Sequence, residues 1–192
     1  TTDPDHERRV QILWTKLAEN GDIYKKKYSG LYCTGCEVFI LEKDLQAGHC
    51  PMHPTLTIKT VEEENYFFRL SRYQEELKAV LSSGQYAIVP EFRRNEVLAL
   101  IDKGLEDVSF SRPVTSLTWG IAVPNDPEHV MYVWCDALSN YITGVGYGED
   151  EKLFKKWWPA EVIMVGKDIT RFHALIWPAM LLSAKIPLPK AL

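Results

Sequence analysis

Apolar residues recur at helical spacing near the start of the chain and again further along. Over residues 5–20, four apolar side chains share one helix face, and Asn20-Gly21 is typical of a helix end. The same spacing predicts helices over residues 67–81 and 94–103, each ending near a glycine. From residue 22 to about 60, short extended runs alternate with turn residues instead. The predicted extended runs are residues 31–32, 38–41 and 56–58.

The C-terminal part of the chain alternates between strand and helix patterns. The predicted strands are residues 117–123, 130–134 and 162–165, and the predicted helices are 136–143 and 169–183. The run 162–165 is apolar throughout, as expected for a parallel strand buried on both faces. This alternation predicts an α/β fold with a parallel sheet, whose ligands lie at the carboxyl ends of the strands. Trp134-Cys135-Asp136 and Gly166-Lys167-Asp168 are the candidates at those ends.

Composition narrows the class of protein. The chain has 192 residues, 46% hydrophobic and 25% charged, which excludes disordered and fibrous proteins. Its richest apolar region is too short for a membrane span, so we expect no membrane partner. A net charge of -4 excludes a globally basic surface and leaves room only for a local RNA contact. The sequence starts at Thr1 without a signal-peptide pattern, so we expect it to be a segment of a longer enzyme.

The cysteines point to metal ligation. Cys33-x2-Cys36 and Cys50-x2-His53 are two chelating turns separated by 13 residues, and their four donors suit a closed, structural zinc site. The alternative is four reduced, unligated side chains in loops. His49 is a second candidate for the fourth ligand, but it lies directly beside Cys50, so we prefer His53. Clustered cysteines of this kind also indicate a reducing compartment, and we predict a cytoplasmic protein.

Two helix starts carry candidate binding residues. Trp134, Ala137 and Tyr141 are spaced to share one face, and a second helix offers Ile169, Phe172 and His173. The start of that second helix has free N–H groups suited to an anion or a ribose. A stripe of aromatic residues is more often core than pocket, and a single histidine is more often a packing residue. Only the convergence of both helices at one sheet edge favours a binding site.

Several longer strings resemble the class I methionyl-tRNA synthetases. They include YCTGCEVF from Tyr32, ENYFFRLSRYQ from Glu64, YVWCDALSNYITG from Tyr132 and VGKDITRFHALIWPAML from Val165. The strings span nearly the whole chain in the order of that family. The resemblance implies a methionine–tRNA ligase that forms methionyl-adenylate from methionine and ATP and transfers the methionyl group to tRNA(Met).

The resemblance also implies roles for individual residues and groups. Mg-ATP would be a substrate, and zinc would be a structural metal held by Cys33, Cys36, Cys50 and His53. Leu138 stands where some members carry proline. The implied nucleotide-binding residues are Gly166 and Asp168, which would hold the ribose, together with Gly120 and Arg112. The implied methionine-binding residues are Trp134, Ala137, Leu138, Tyr141, Ile169, Phe172 and His173.

The phosphate-binding motifs of this class, His-x-Gly-His and Lys-Met-Ser-Lys, do not occur in the sequence. We therefore expect a central fragment without catalytic residues of its own, inactive in isolation and partnered by the remaining segments of the same enzyme. Its predicted domains are the end of the first half of a Rossmann-like domain (1–21), a connective insert with a zinc knuckle (22–111) and the second half of the Rossmann-like parallel sheet domain (112–192). The alternative is a non-catalytic zinc-knuckle module that binds RNA or protein.

Overall fold

A computed structural model describes residues 2–35, 38–40 and 42–192 of this chain as an α/β protein. It divides into two compact units. The larger unit is Thr1–Tyr24 with Tyr66–Leu192, and the smaller unit is Lys25–Asn65. The smaller unit is thus shorter than the predicted insert, 22–111, because residues 66–111 cluster with the larger unit. The predicted domain boundaries concern family organisation and stay a prediction.

The first helix, α1 (Pro4–Glu19), confirms the helix that the apolar spacing predicts near the start of the chain. Asp3 caps it by accepting a hydrogen bond from the Asp5 N–H at 2.8 Å, and proline occupies the first turn, where no N–H is needed. The four apolar residues that predicted this helix are all buried in the core. They are Val10, Leu13, Trp14 and Leu17.

The smaller unit is built on antiparallel strands. Strand β1 (Ile23–Cys33) enters it and pairs with β2 (Val38–Ile40), with Leu31 opposite Ile40 and Cys33 opposite Val38. A short 3₁₀ turn (Glu42–Asp44) follows, and β3 (Lys59–Phe68) leads out. The predicted runs 31–32 and 38–40 are confirmed as strand, whereas Leu41 lies outside the described residues. The predicted run 56–58 is wrong, since β3 begins only at Lys59.

After β3 the chain turns helical in the larger unit. The end of β3 pairs with β4 (Val108–Ser109), so the first sheet has the order β2-β1-β3-β4. A 3₁₀ turn (Leu70–Tyr73), helix α2 (Gln74–Ser83) and helix α3 (Glu91–Asp102) lie between these strands. The predicted helix 67–81 therefore starts too early, because Phe67 and Phe68 pair in the sheet before the helix begins.

The buried carboxylate of Asp22 links the 3₁₀ turn Leu70–Tyr73 to the C-terminal helix by hydrogen bonds. Asp22 accepts hydrogen bonds from Arg72 at 2.9 Å, from Tyr73 at 2.5 Å and from Ser183 at 2.6 Å. Burial and the hydrogen bond to Asp22 raise the pKa of Tyr73 to about 12. Asp22 thus joins the end of α1, the 3₁₀ turn and the last helix through one buried group.

The second sheet is antiparallel, not parallel. Strands β5 (Ser111–Pro113), β6 (Ala122–Val123) and β7 (Asp126–Met131) are arranged in the order β5-β7-β6. The predicted strand 117–123 shrinks to two residues, and the predicted strand 130–134 ends at Met131. In the described ranges, parallel pairing occurs only as two isolated bridges, from Ala191 to Ala87 and to Val162.

The predicted burial of strand 162–165 on both faces is wrong for the described chain, although Val162 does form a parallel bridge to Ala191. Its side chains alternate instead of being buried on both faces: Val162 is 59% exposed, Ile163 is buried and Met164 is 91% exposed. An apolar run alone could not distinguish two-faced burial from this alternation, because the partners that cover each face are distant in sequence.

The remaining elements are helical. They are α4 (Val133–Thr143), α5 (Glu151–Trp157), a 3₁₀ turn (Lys167–Ile169), a π-helix (Phe172–Ile176) and α6 (Trp177–Ser183). The predicted helix 169–183 is thus mostly helical but changes its geometry along its length. In the described part of the chain, no helix is both long enough and apolar enough to cross a membrane.

Candidate functional site

Helix α4 presents two different faces. Leu138 and Ile142 lie on its core side with about 1% exposure or less, packed in the main apolar cluster. Trp134, Ala137 and Tyr141 lie on a half-buried face, as their i, i+3 and i+7 spacing predicts. Leu138, which the family resemblance implied as a pocket residue, therefore belongs to the core side of this helix.

The half-buried face of α4 meets the π-helix through two aromatic rings. Trp134 and Phe172 are stacked, with ring centroids 3.9 Å apart and planes 12° from parallel. Each ring covers one side of the other and keeps part of its surface accessible. The structure thus brings together one predicted pocket residue from each helix.

A second pair joins the same two helices by hydrogen bonds. The Tyr141 hydroxyl lies 2.9 Å from His173 Nε2, and His173 Nδ1 lies 3.0 Å from the carbonyl oxygen of Ile169. A carbonyl can only accept, so Nδ1 carries a proton and donates it. In the neutral ring Nε2 is then an acceptor, and the Tyr141 O–H donates to it.

Electrostatics favours the neutral form of this pair. Burial lowers the pKa of His173 below its usual value of 6.5, more than the Ile169 carbonyl raises it. Burial also raises the pKa of Tyr141. At neutral pH the site therefore carries an uncharged imidazole of fixed tautomer and an uncharged phenol, an arrangement suited to a neutral, polarisable ligand group.

The predicted nucleotide-binding residues are exposed or half-buried, and all but Arg112, which lies in strand β5, are in loops or a 3₁₀ turn. Gly166 and Asp168 are exposed at the 3₁₀ turn that precedes the π-helix. Gly120 has φ 150°, and a Cβ there would lie 3.1 Å from Val130, so a side chain at this position is disfavoured. The Arg112 guanidinium donates to Ser109 Oγ at 2.7 Å and to the Ser111 carbonyl at 2.8 Å.

Sequence reasoning missed a buried polar cluster on the other side of α4. His6 Nε2 lies 2.6 Å from Asp136 Oδ1, and His6 Nδ1 lies 2.7 Å from Thr143 Oγ1. All three side chains are buried. Asp136 had been a candidate ligand group at a strand end, but its carboxylate pairs with His6 instead. No short-range signal could reveal this pair, because its members are 130 residues apart.

In the smaller unit, three of the predicted metal ligands converge. Ligand atoms of Cys33, Cys50 and His53 lie within 4.8 Å of one another, and Cys33 Sγ is 3.8 Å from His53 Nδ1. Tetrahedral zinc with ordinary Zn–S and Zn–N bonds would place such atoms about 3.6 Å apart. Cys36 lies outside the described residues. His49 Nδ1 is 3.4 Å from the Leu56 carbonyl and is not in the cluster.

The local backbone supports this cluster. Cys50 and His53 form an isolated antiparallel bridge, and the His53 N–H donates to the Cys50 carbonyl at 3.0 Å. A Cβ at Gly35 would lie 2.6 Å from the His53 ring, so only glycine lets this ring approach the first chelating turn. Two thiols and an imidazole are the donor types of structural zinc sites, so these residues fit that metal.

Comparison with known proteins identifies close relatives. A family model described as tRNA synthetases class I (M) matches residues 1–58 and 43–192. Methionine–tRNA ligases of Thermotoga maritima and Caldanaerobacter subterraneus are 48% and 52% identical to this chain over 99% of its length. The chain spans about 30% of the length of these relatives.

Solved structures agree with this similarity. A crystal structure of Mycobacterium tuberculosis methionyl-tRNA synthetase bound by methionyl-adenylate is similar over 100% of this chain and 38% of its own length. Its TM-score is 0.89 at 45% sequence identity. The free form of the same enzyme gives a TM-score of 0.87 at 46% identity.

Proposed function

This chain belongs to the class I tRNA synthetases of the methionine type, and from that membership we propose that it is part of a methionine–tRNA ligase. The enzyme would activate methionine with Mg-ATP and transfer the methionyl group to tRNA(Met). The relatives do not favour the alternative of a non-catalytic binding module. Neither phosphate-binding motif occurs in the sequence, so the proposed activity also requires segments outside these residues.

The observation that carries this proposal is the pairing of α4 with the π-helix. Trp134 and Phe172 offer aromatic surface, and the Tyr141–His173 pair offers fixed, uncharged polar atoms beside it. A thioether is polarisable and makes favourable contacts with aromatic rings. We propose that the methionine side chain binds against these rings, with Ala137 and Ile169 as further half-buried walls.

The hydrogen bonds change how the polar groups would act. A phenol O–H and an imidazole N–H are both groups that could donate to the sulfur of a bound methionine. Here both donors already have protein acceptors, His173 Nε2 and the Ile169 carbonyl. We propose that the pair acts chiefly by its fixed geometry, and that only the Tyr141 hydroxyl, which can rotate, is free to exchange its acceptor for the thioether.

The nucleotide and the zinc ion would bind to different sets of residues. Asp168 and Gly166 would bind the adenylate ribose, since an exposed carboxylate accepts from two hydroxyls, while Gly120 and Arg112 would lie near the same ligand. Zinc, held by Cys33, Cys50 and His53 together with Cys36, would stabilise the smaller unit without taking part in the reaction. The larger unit would be the second half of a Rossmann-like domain.

The test is methionine-dependent pyrophosphate exchange in the full-length enzyme. We expect Trp134→Ala to raise the KM for methionine at least tenfold, because it removes half of the aromatic stack. Trp157→Ala is the matched control, since that ring is 57% exposed on α5 and has the Lys156 ammonium 4.9 Å from its centroid instead of a second aromatic ring. Exchange without methionine dependence, or an equal effect of both substitutions, would contradict the proposal.

A further inference from the structure

The π-helix leaves one buried carbonyl without a backbone donor. The Trp177 N–H donates to the Phe172 carbonyl, five residues back, where an α-helix would direct it to His173. The next position in the π pattern is Pro178, which has no N–H. The α-helical donor position for the His173 carbonyl is therefore engaged elsewhere, and the π-helical position lacks an N–H.

A tyrosine from another part of the larger unit supplies the missing donor. The Tyr86 hydroxyl donates to the His173 carbonyl at 3.0 Å, and the Tyr86 side chain is fully buried. Burial raises the pKa of Tyr86 well above its usual value, which keeps this donor protonated. The segment is anchored on both sides, since the Tyr86 N–H donates to Val80 and the Ala87 N–H to Lys190.

We propose that Tyr86 is a positioning residue for the proposed methionine site, because its hydroxyl holds the His173 carbonyl that the π register and Pro178 leave unsatisfied. The proposal rests on the proposed function. Through that carbonyl, Tyr86 fixes the backbone of His173 and so the ring whose Nδ1 donates to Ile169 and whose Nε2 accepts from Tyr141.

Loss of the Tyr86 hydroxyl would move His173 because the π-helix would rearrange to satisfy the His173 carbonyl. A buried carbonyl with no donor is costly, and the Trp177 N–H is the donor that α-helical geometry would direct to it. Taking it would convert the turn from π to α geometry and rotate the residues before it relative to α6. His173 would then lose its alignment with the Ile169 carbonyl and with Tyr141, although neither of those residues had changed.

The experiment uses the full-length enzyme with Tyr86→Phe, which keeps the ring and removes the donor. We expect the KM for methionine to rise roughly five- to tenfold, with the KM for ATP unchanged. Tyr147→Phe is the matched control, because that tyrosine is also buried and packs edge-on against Phe154. A similar rise in both variants, or no rise with Tyr86→Phe, would overturn the proposal.

A second variant separates positioning from general destabilisation. Pro178→Ala restores an N–H five residues after His173, so the double variant Tyr86→Phe/Pro178→Ala should recover most of the methionine affinity. A merely structural loss would not be recovered by a second core substitution. Failure of this rescue, with both single variants folded, would count against the carbonyl as the point of action.

A spectroscopic measurement is independent of activity. In protein with ¹⁵N-labelled histidine, the His173 ring should show a single tautomer protonated at Nδ1, and Tyr86→Phe should give a mixture. An unchanged tautomer in that variant would overturn the inference. If the wild-type enzyme showed no methionine-dependent exchange, the proposed function would fail, whereas this measurement would still decide whether Tyr86 positions His173.

Discussion

The two compact units are stabilised in different ways. In the larger unit, helices α1, α4 and α6 bury a continuous apolar cluster, and the candidate site lies on its half-buried margin. Among the described side chains of Lys25–Asn65, the buried apolar residues are Cys33 and Cys50. Units of about 40 residues rarely build a sufficient core and usually need a metal or disulfides. The same cysteines that would bind zinc are thus the buried apolar side chains among those described in the smaller unit.

This difference predicts that metal removal is the largest perturbation and that it is local. We expect one zinc per chain, and His53→Ala or chelation should remove hydrogen-exchange protection from residues 25–65 while residues 66–192 keep theirs. His49→Ala is the control, since His49 is not in the cluster. Elemental analysis and exchange mass spectrometry measure both effects. Full zinc occupancy in His53→Ala, or loss of protection across both units, would contradict this view.

The stability of the larger unit is expected to depend on buried polar pairs such as His6–Asp136. His6→Ala leaves the Asp136 carboxylate buried without its partner, and we expect a loss of about 3 kcal/mol in the free energy of unfolding. Arg8→Ala, only two positions along the same helix, removes exposed ion pairs with Asp5 and Glu149 and should change stability little.

Urea denaturation followed by tryptophan fluorescence compares the two variants in the same chain. Equal stabilities of His6→Ala and Arg8→Ala would show that the His6–Asp136 pair contributes nothing beyond a surface contact. Protection in Lys25–Asn65 should be unaffected by either change, since both substitutions lie in the larger unit.

Periodicity was informative where a residue's neighbours are close in sequence. Helix α1, its buried face and the shared face of Trp134, Ala137 and Tyr141 were all predictable, because helical spacing alone determines them. The metal cluster was predictable for a similar reason: the two members of each chelating pair are only three positions apart in the sequence. Its fourth member, Cys36, stays a prediction.

Long-range relations were not predictable in this way. The antiparallel order β5-β7-β6 and the exposure of Val162 and Met164 depend on partners that periodicity does not contain. The π-helix follows from no propensity rule, yet it determines where His173 lies. The resemblance to a family named candidate site residues, but the tautomer of His173, the Tyr86–His173 contact and the His6–Asp136 pair came only from the three-dimensional structure.

The smallest expected effect is a pH dependence confined to the site in the larger unit. The pKa of His173 is lowered by burial, so the unfolded chain binds its proton more readily than the folded chain. Stability from this group is fully present above about pH 6.5, the usual value, and is lost as pH falls from there through the lowered pKa.

Methionine affinity should also fall as the pH falls. A protonated His173 donates from Nε2, so its hydrogen bond with the Tyr141 oxygen reverses direction and the site gains a positive charge, which does not suit a neutral ligand group. We expect the KM for methionine to rise about two- to threefold between pH 7 and pH 5.5, and His173→Gln, which cannot be protonated in this range, to abolish most of that dependence. Zinc sites also weaken in acid, because their ligands must be deprotonated. Zinc content measured at each pH separates the two causes, and a KM that follows zinc loss instead of His173 titration would assign the pH dependence to the smaller unit.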